Sequence, residues 1–211
     1  MERMRALGNI ERGCWLIDQT APMNVLAVAQ VAGRLDPARL AAALELLQRR
    51  HPLLRVCVQL DRGVPTYFYS AAPIPFSIVS RRDGSHFHEL VTDERNRPFH
   101  ADQAPLLRLT VLHGQAESEL VFTMHHLISD GASSTYLLRD MLLALSGDAP
   151  AASWAPLSVQ PALEDLMPAA ERGFSGRTRS AQFLYEQAFT FFVRRPRLLR
   201  EQQPVPSGKR L

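Results

Sequence analysis

Two kinds of apolar pattern alternate along this chain. Val25, Ala27, Ala29 and Val31 interleave with Leu26, Val28 and Gln30, which predicts a strand over 24–33 with both faces largely covered. Leu40, Leu44 and Leu47 then recur at helical spacing behind Asp36-Pro37, a cap followed by proline at the first helical position. That helix must close before Pro52, because a residue preceding proline avoids the helical region. Residues 55–60 and 66–70 flank Asp61-Arg62-Gly63-Val64 and read as a hairpin, 76–80 as a further strand, and 84–97 as a helix. Two β-prone runs, 106–112 and 119–124, are separated by turn material at 114–118. Leu137, Leu138, Met141, Leu142 and Leu145 stripe a helix over 132–145. Upstream, a short helix over 10–18 is expected to bury Trp15 and Leu16. The alternation predicts an α/β layered fold, a mixed sheet flanked by helices.

The chemistry concentrates where the second β-prone run ends. Met124-His125-His126-Leu127-Ile128-Ser129-Asp130-Gly131 places two histidines at a strand exit and an Asp-Gly pair at a helix entrance. At this composition, His-His-x-x-x-Asp-Gly arises by chance roughly once in two thousand such sequences, which favours a functional origin. An imidazole titrates near neutrality and can take a proton from an alcohol or amine as a bond forms. A strand–loop–helix junction fixes such a ring on the sheet while leaving it open to a cleft. Asp130 at the helix entrance suits an N-cap, or a lock on the loop through a basic partner. Arg50 and Arg55 are candidates for that partner; equally, they suit a solvated helix end, with positive charge near the terminal carbonyls. His86 and His88 form a His-x-His pair without a third placed ligand, too little for a metal site, so no metal is expected.

Composition narrows the class. The 211 residues, 46% of them apolar, suffice for one domain with a sizeable core. Lys209 is the only lysine, a sign of codon bias rather than of a binding specialisation. The formal charge of +3 is uneven: nine basic and three acidic residues follow from Glu171 on, leaving 15 against 18 before it. A nucleic-acid binder clusters basic residues on its folded body, so no nucleic-acid partner is expected. Cys14 and Cys57 are isolated, the N-terminus lacks an apolar signal core, and no run is long enough to span a bilayer. A reducing cytoplasm is the expectation. Residues 180–193 carry Phe183, Leu184, Tyr185, Phe189, Phe191 and Phe192 ahead of Arg194, Arg195, Arg197 and Arg200. Such a segment suits a helix packed on its own protein, contact with a membrane surface, or docking to an acidic partner.

His125 to Gly131 resembles the active-site motif of the chloramphenicol-acetyltransferase-like superfamily, which includes condensation domains of peptide synthetases, polyketide-associated acyltransferases and alcohol acyltransferases. Three further stretches resemble the condensation-like branch in order and spacing: Glu11-Arg12-Gly13-Cys14-Trp15-Leu16, Arg49-Arg50-His51-Pro52-Leu53-Leu54-Arg55, and Pro98-Phe99-His100 with Pro105-Leu106-Leu107-Arg108. His100 departs from the pattern, which has Asp there. Residues 155–173 resemble the polyketide-associated acyltransferases more than the peptide synthetases.

The resemblance implies a chloramphenicol-acetyltransferase-like layered lobe over residues 1–175, with an amphipathic basic helix and linker tail over 176–211 and a second lobe absent. It implies an acyltransferase that moves an acyl group from a coenzyme A or carrier-protein phosphopantetheine thioester to an alcohol or amine, with no permanently bound cofactor. His126 would be the general base. Asp130 would hold the loop, His125 would shape it, and Gly131 would leave room for the pantetheine arm. Oxyanion donors would come from a second lobe or from self-association. An amide-forming peptide synthetase condensation domain, a non-catalytic carrier-docking module and an inactive fragment are the alternatives.

Overall fold

The computed structural model describes residues 1–148 and 150–166. The aromatic and basic segment expected over 176–211 lies outside the described residues. Residues 1–163 form one compact unit, and the chain from Glu164 onward belongs to a second.

The first unit holds two sheets. The larger is built from β2 (Asn24–Ala32), β5 (Phe76–Ser80), β6 (Leu107–His113) and β7 (Glu117–His125), in the order β2-β7-β6-β5. All its pairs are antiparallel except β5 with β6. The smaller sheet has the order β1 (Arg3–Ala6), β4 (Val64–Tyr69), β3 (Val56–Asp61), all antiparallel. The β3–β4 turn is tight because its two central residues, Arg62 and Gly63, both have positive φ (51° and 82°), the geometry that matches strand twist in a two-residue hairpin.

Side-chain parity divides the larger sheet cleanly. Leu120, Phe122 and Met124 of β7 face the same way as their partners Val111, Leu109 and Leu107 of β6, and all are buried. Over that face lie α2 (Pro37–Arg50), through Leu40, Ala43, Leu44 and Leu47, and α4 (Gly131–Ser146), through Leu137, Met141 and Leu145. Asp36 caps α2 by accepting the Arg39 N–H at 2.9 Å, and Pro37 opens it. Gly147, with φ 77°, ends α4 in the left-handed conformation that glycine adopts without cost. Val56, Val58 and Tyr67 of the smaller sheet join the same core.

The opposite face buries polar residues beside the apolar Leu112 and Val121. α3 (His86–Asn96) brings Glu94 to Arg108 and Thr110 of β6 and Thr123 of β7. Asn24 Nδ2 donates to the carbonyls of Glu94, Arg95 and Arg97, tying the start of β2 to the end of α3. Farther along β2 this cover stops: Val28 is 39% exposed and Gln30 is open to solvent. The two-sided cover expected for this strand is therefore half realised, because β2 is a sheet edge. The α1 helix (Asn9–Asp18) likewise turns only part of its expected face inward. Trp15 packs against the core, while Leu16, 100° around the helix, is 60% exposed.

The two faces should respond differently to truncation. Phe122→Ala should cost about 3–5 kcal/mol in urea unfolding. Val28→Ser, on the open part of the same sheet, should stay within about 0.5 kcal/mol.

Candidate active site at the exit of β7

Every turn of chain after β7 is held by a specific bond. His125 N–H donates to Leu106 O at 2.9 Å, His126 N–H to Met23 O at 2.7 Å, and Ile128 N–H to His125 O at 3.0 Å. The buried Tyr67 hydroxyl donates to Leu127 O at 2.6 Å. Burial pushes the Tyr67 phenol far above its usual range, so it remains a donor. Leu127 and Ile128 anchor the loop in the core.

The two histidines have opposite environments. His125 is fully buried, its ring edge-on to Phe99 at 6.1 Å, and Phe99 in turn lies under the Arg108 guanidinium at 4.2 Å. Its Nδ1 accepts the Leu127 N–H at 3.0 Å, which leaves the ring proton on Nε2. Nε2 lies 3.1 Å from Asp18 Oδ2, an ion-pair distance with the proton directed off the line of centres. Burial lowers the His125 pKa most strongly, against the opposing pull of Asp18, so the ring is held neutral. His126 is exposed, and its side chain has no hydrogen-bond partner among the described residues.

Asp130 is the N-cap of α4. Its Oδ1 accepts the Ser133 N–H at 2.8 Å and the Ser133 hydroxyl at 2.7 Å, and Ser133 Oγ accepts the Asp130 N–H at 2.7 Å. These bonds from Ser133 hold the carboxyl below its usual pKa, with a smaller contribution from nearby His126. Gly131 is the first helical residue, and a Cβ there would meet nothing within 4 Å.

The arginines considered as loop partners go elsewhere. Arg50 Nε donates to Asp140 of α4 at 3.0 Å, and its Nη1 bonds the Ser153 carbonyl. His51 Nε2 lies 3.0 Å from the same Asp140 oxygen, and Arg139 donates to the other oxygen. Burial opposes ionisation of Asp140, but bonds from Arg139, Arg50 and His51 outweigh it and lower the pKa. Arg50 thus joins α2 to α4 and leaves Asp130 to Ser133. Arg55 is exposed, with no side-chain partner among the described residues. Beside the loop, a cleft of about 270 Å³ is lined by Leu53, Met124, Ile128, Ser133, Leu137 and Leu157, among others. His86 is used locally, its Nδ1 accepting the Arg82 N–H at 3.1 Å, and among the described residues no group of three or more His, Cys, Asp or Glu is placed to hold a metal.

A family model for the condensation domain matches residues 1–147. The chain belongs to the condensation-domain family. It is 30% identical over 149 residues, 70% of its length, to surfactin synthase subunit 1 of Bacillus subtilis (strain 168), and 31% identical over 127 residues to gramicidin S synthase 2 of Aneurinibacillus migulanus. It spans only 4% and 3% of those two proteins. Among solved structures, it resembles the X-domain from teicoplanin biosynthesis with a TM-score of 0.64 and 25% identity, covering 76% of this chain and 37% of that one. A starter condensation domain of rhizomide synthetase shares the fold, with a TM-score of 0.62 at 16% identity over 87% of this chain and 47% of that one. The expected chloramphenicol-acetyltransferase-like layered architecture is what this condensation domain has.

Sequence reasoning had not singled out Asp18, Tyr67 or Asp140 as functional. Asp18 ends a predicted helix, Tyr67 lies within a predicted strand, and Asp140 interrupts an apolar stripe. That interruption was the one readable signal, since a carboxylate on a buried helix face requires partners.

Two consequences are measurable. The folded pKa values of His125 and His51 are both lowered, chiefly by burial, below the unfolded value of about 6.5. Below that pH the unfolded chain takes up protons that the fold excludes. Stability should be full above about pH 7 and should fall as pH drops below 6.5, read as the urea midpoint. His51→Gln should flatten part of that slope. Separately, Asp130→Ala should cost about 0.5–2 kcal/mol through the lost cap, measured by the same unfolding.

Proposed function

We propose that this condensation domain supplies the histidine-bearing wall of an acyl-transfer site, with His126 as general base. The observation that carries the reading is the contrast at the motif: the loop backbone is pinned on both sides, His125 is consumed by structure, and the adjacent imidazole alone is open to solvent. A fixed loop presenting a free imidazole is the arrangement a general base requires.

The donor is an acyl thioester, on a carrier-protein phosphopantetheine or on coenzyme A, and the acceptor is an amine. Peptide synthases among the relatives favour the amine over an alcohol, and a starter condensation domain of the same fold has been solved with an eight-carbon acyl-coenzyme A. His126 takes a proton as the acceptor nitrogen attacks the thioester carbonyl. The tetrahedral oxyanion then collapses, the carbon–sulfur bond breaks, and the proton passes to the departing thiolate. Donors to the oxyanion, and the opposite wall of the cleft, come from a second lobe: a later part of a longer polypeptide, another chain, or a second copy. The exposed Leu16 and Ile17 of α1, at 60% and 51%, are apolar surface suited to such cover.

Thiol release is to be measured against a panel of acyl thioesters with amine and alcohol acceptors, with and without a complementing lobe. His126→Ala should lower the transfer rate roughly a hundred- to ten-thousand-fold while carrier-protein binding survives. Near-parental turnover in this variant would rule out the mechanism. Binding without transfer by the parent, even when complemented, would leave a docking module in its place.

A further inference from the structure

Asp18 reaches both histidines at once. It is the last residue of α1, with its side chain 8% exposed. Oδ1 accepts the Met23 N–H at 3.0 Å, and the carbonyl of the same Met23 accepts the His126 N–H at 2.7 Å. Oδ2 faces Nε2 of His125 at 3.1 Å. One carboxylate therefore lies 3.1 Å from the buried ring and holds the main chain of the exposed histidine through one residue of backbone.

Helix electrostatics do not explain this placement. A helix C-terminus carries partial negative charge and disfavours a carboxylate in its last turn. A carboxylate this far from water also needs polar partners, and among the described residues the ring facing it is the neutral His125 imidazole rather than an arginine. The pairing has a steric logic. With the proton on Nε2 facing Asp18, Nδ1 is free to accept the Leu127 N–H at 3.0 Å. The other tautomer would set N–H against N–H at Leu127 and a lone pair against the carboxylate. Asp18 thus selects the tautomer that closes the loop, while Tyr67 secures the Leu127 carbonyl from the other side.

We infer that Asp18 is a positioning residue for acyl transfer, fixing the His125 tautomer and, through Met23, the main chain from which the His126 imidazole projects. The inference rests on His126 being the base. Asp18→Asn tests it with minimal change of shape. However the amide turns, its NH2 opposes a donor, either the Met23 N–H or the His125 Nε2–H. In the full-length chain, nitrogen NMR of the histidine rings should show His125 as the Nε2–H tautomer. Asp18→Asn should shift both the His125 and the His126 resonances and lower kcat ten- to a hundredfold, with the thioester KM within about twofold. Asp36→Ala, which removes the cap of α2, should lower stability without moving either ring's resonances.

An Nδ1–H tautomer of His125 in the unmodified chain would overturn the inference, whether or not the variant folds. Unshifted ring resonances, or a parental kcat, in folded Asp18→Asn would overturn it as well. If the parent shows the Nε2–H tautomer but transfers no acyl group even when complemented, the transfer reading fails and Asp18 has no positioning role in catalysis.

Discussion

β7 is paired along both edges, to β2 from Asn24↔His125 to Ala32↔Glu117 and to β6 from Leu107↔Met124 to His113↔Ser118. Its side chains are covered on both faces from Ser118 to His125. A strand so placed has one register, because a slip of one residue would turn Phe122 and Met124 out of the apolar core and draw Thr123 into it. The strand's last residue is thereby fixed in height and facing, and with it the first histidine of the motif. The second histidine is the first residue beyond the sheet. Its exposure follows from the strand's length as much as from its own chemistry.

Carboxylates do the joining between layers. Glu94 ties α3 to β6 and β7, Asp140 ties α4 to α2, and Asp18 ties α1 to the end of β7. Each is nearly buried, and each has cationic or hydrogen-bond-donor partners drawn from distant parts of the chain. Apolar contacts supply the bulk of cohesion here, but they are tolerant of sliding. A buried carboxylate with its partners in place is not, since losing one partner strands a charge away from water. These groups therefore specify how helices sit on the sheet more than they add to net stability.

Most of the fold could be read from local pattern. Asp36-Pro37 announced α2 because capping and the proline ring act within one turn, and Asp61-Arg62-Gly63-Val64 announced the hairpin because turn geometry is local. β1 was missed: two of its four residues are arginines, and it is a strand only through pairing with β4. The exposure of Val28 was equally hidden, since nothing in β2 says that it will be an edge. At the site, the histidine pair and the capping aspartate were legible as a contiguous motif. Their supports were not. Asp18, Tyr67 and the Arg50–Asp140 pair join segments from 60 to 107 residues away in sequence, and their partners appear only when the sheets assemble.

The alternating faces of β7 also set where this chain can change length. One residue added or removed between Ser118 and Met124 would reverse inside and outside from there to the motif: a deletion would place the first imidazole in the apolar core, and an insertion would place Met124 against Asp18. The connection at 114–116, between the ends of β6 and β7, has no such parity to preserve. Length variation among homologous chains should gather in connections of that kind, with the spacing from the core phenylalanine to the histidine pair held constant by geometry alone.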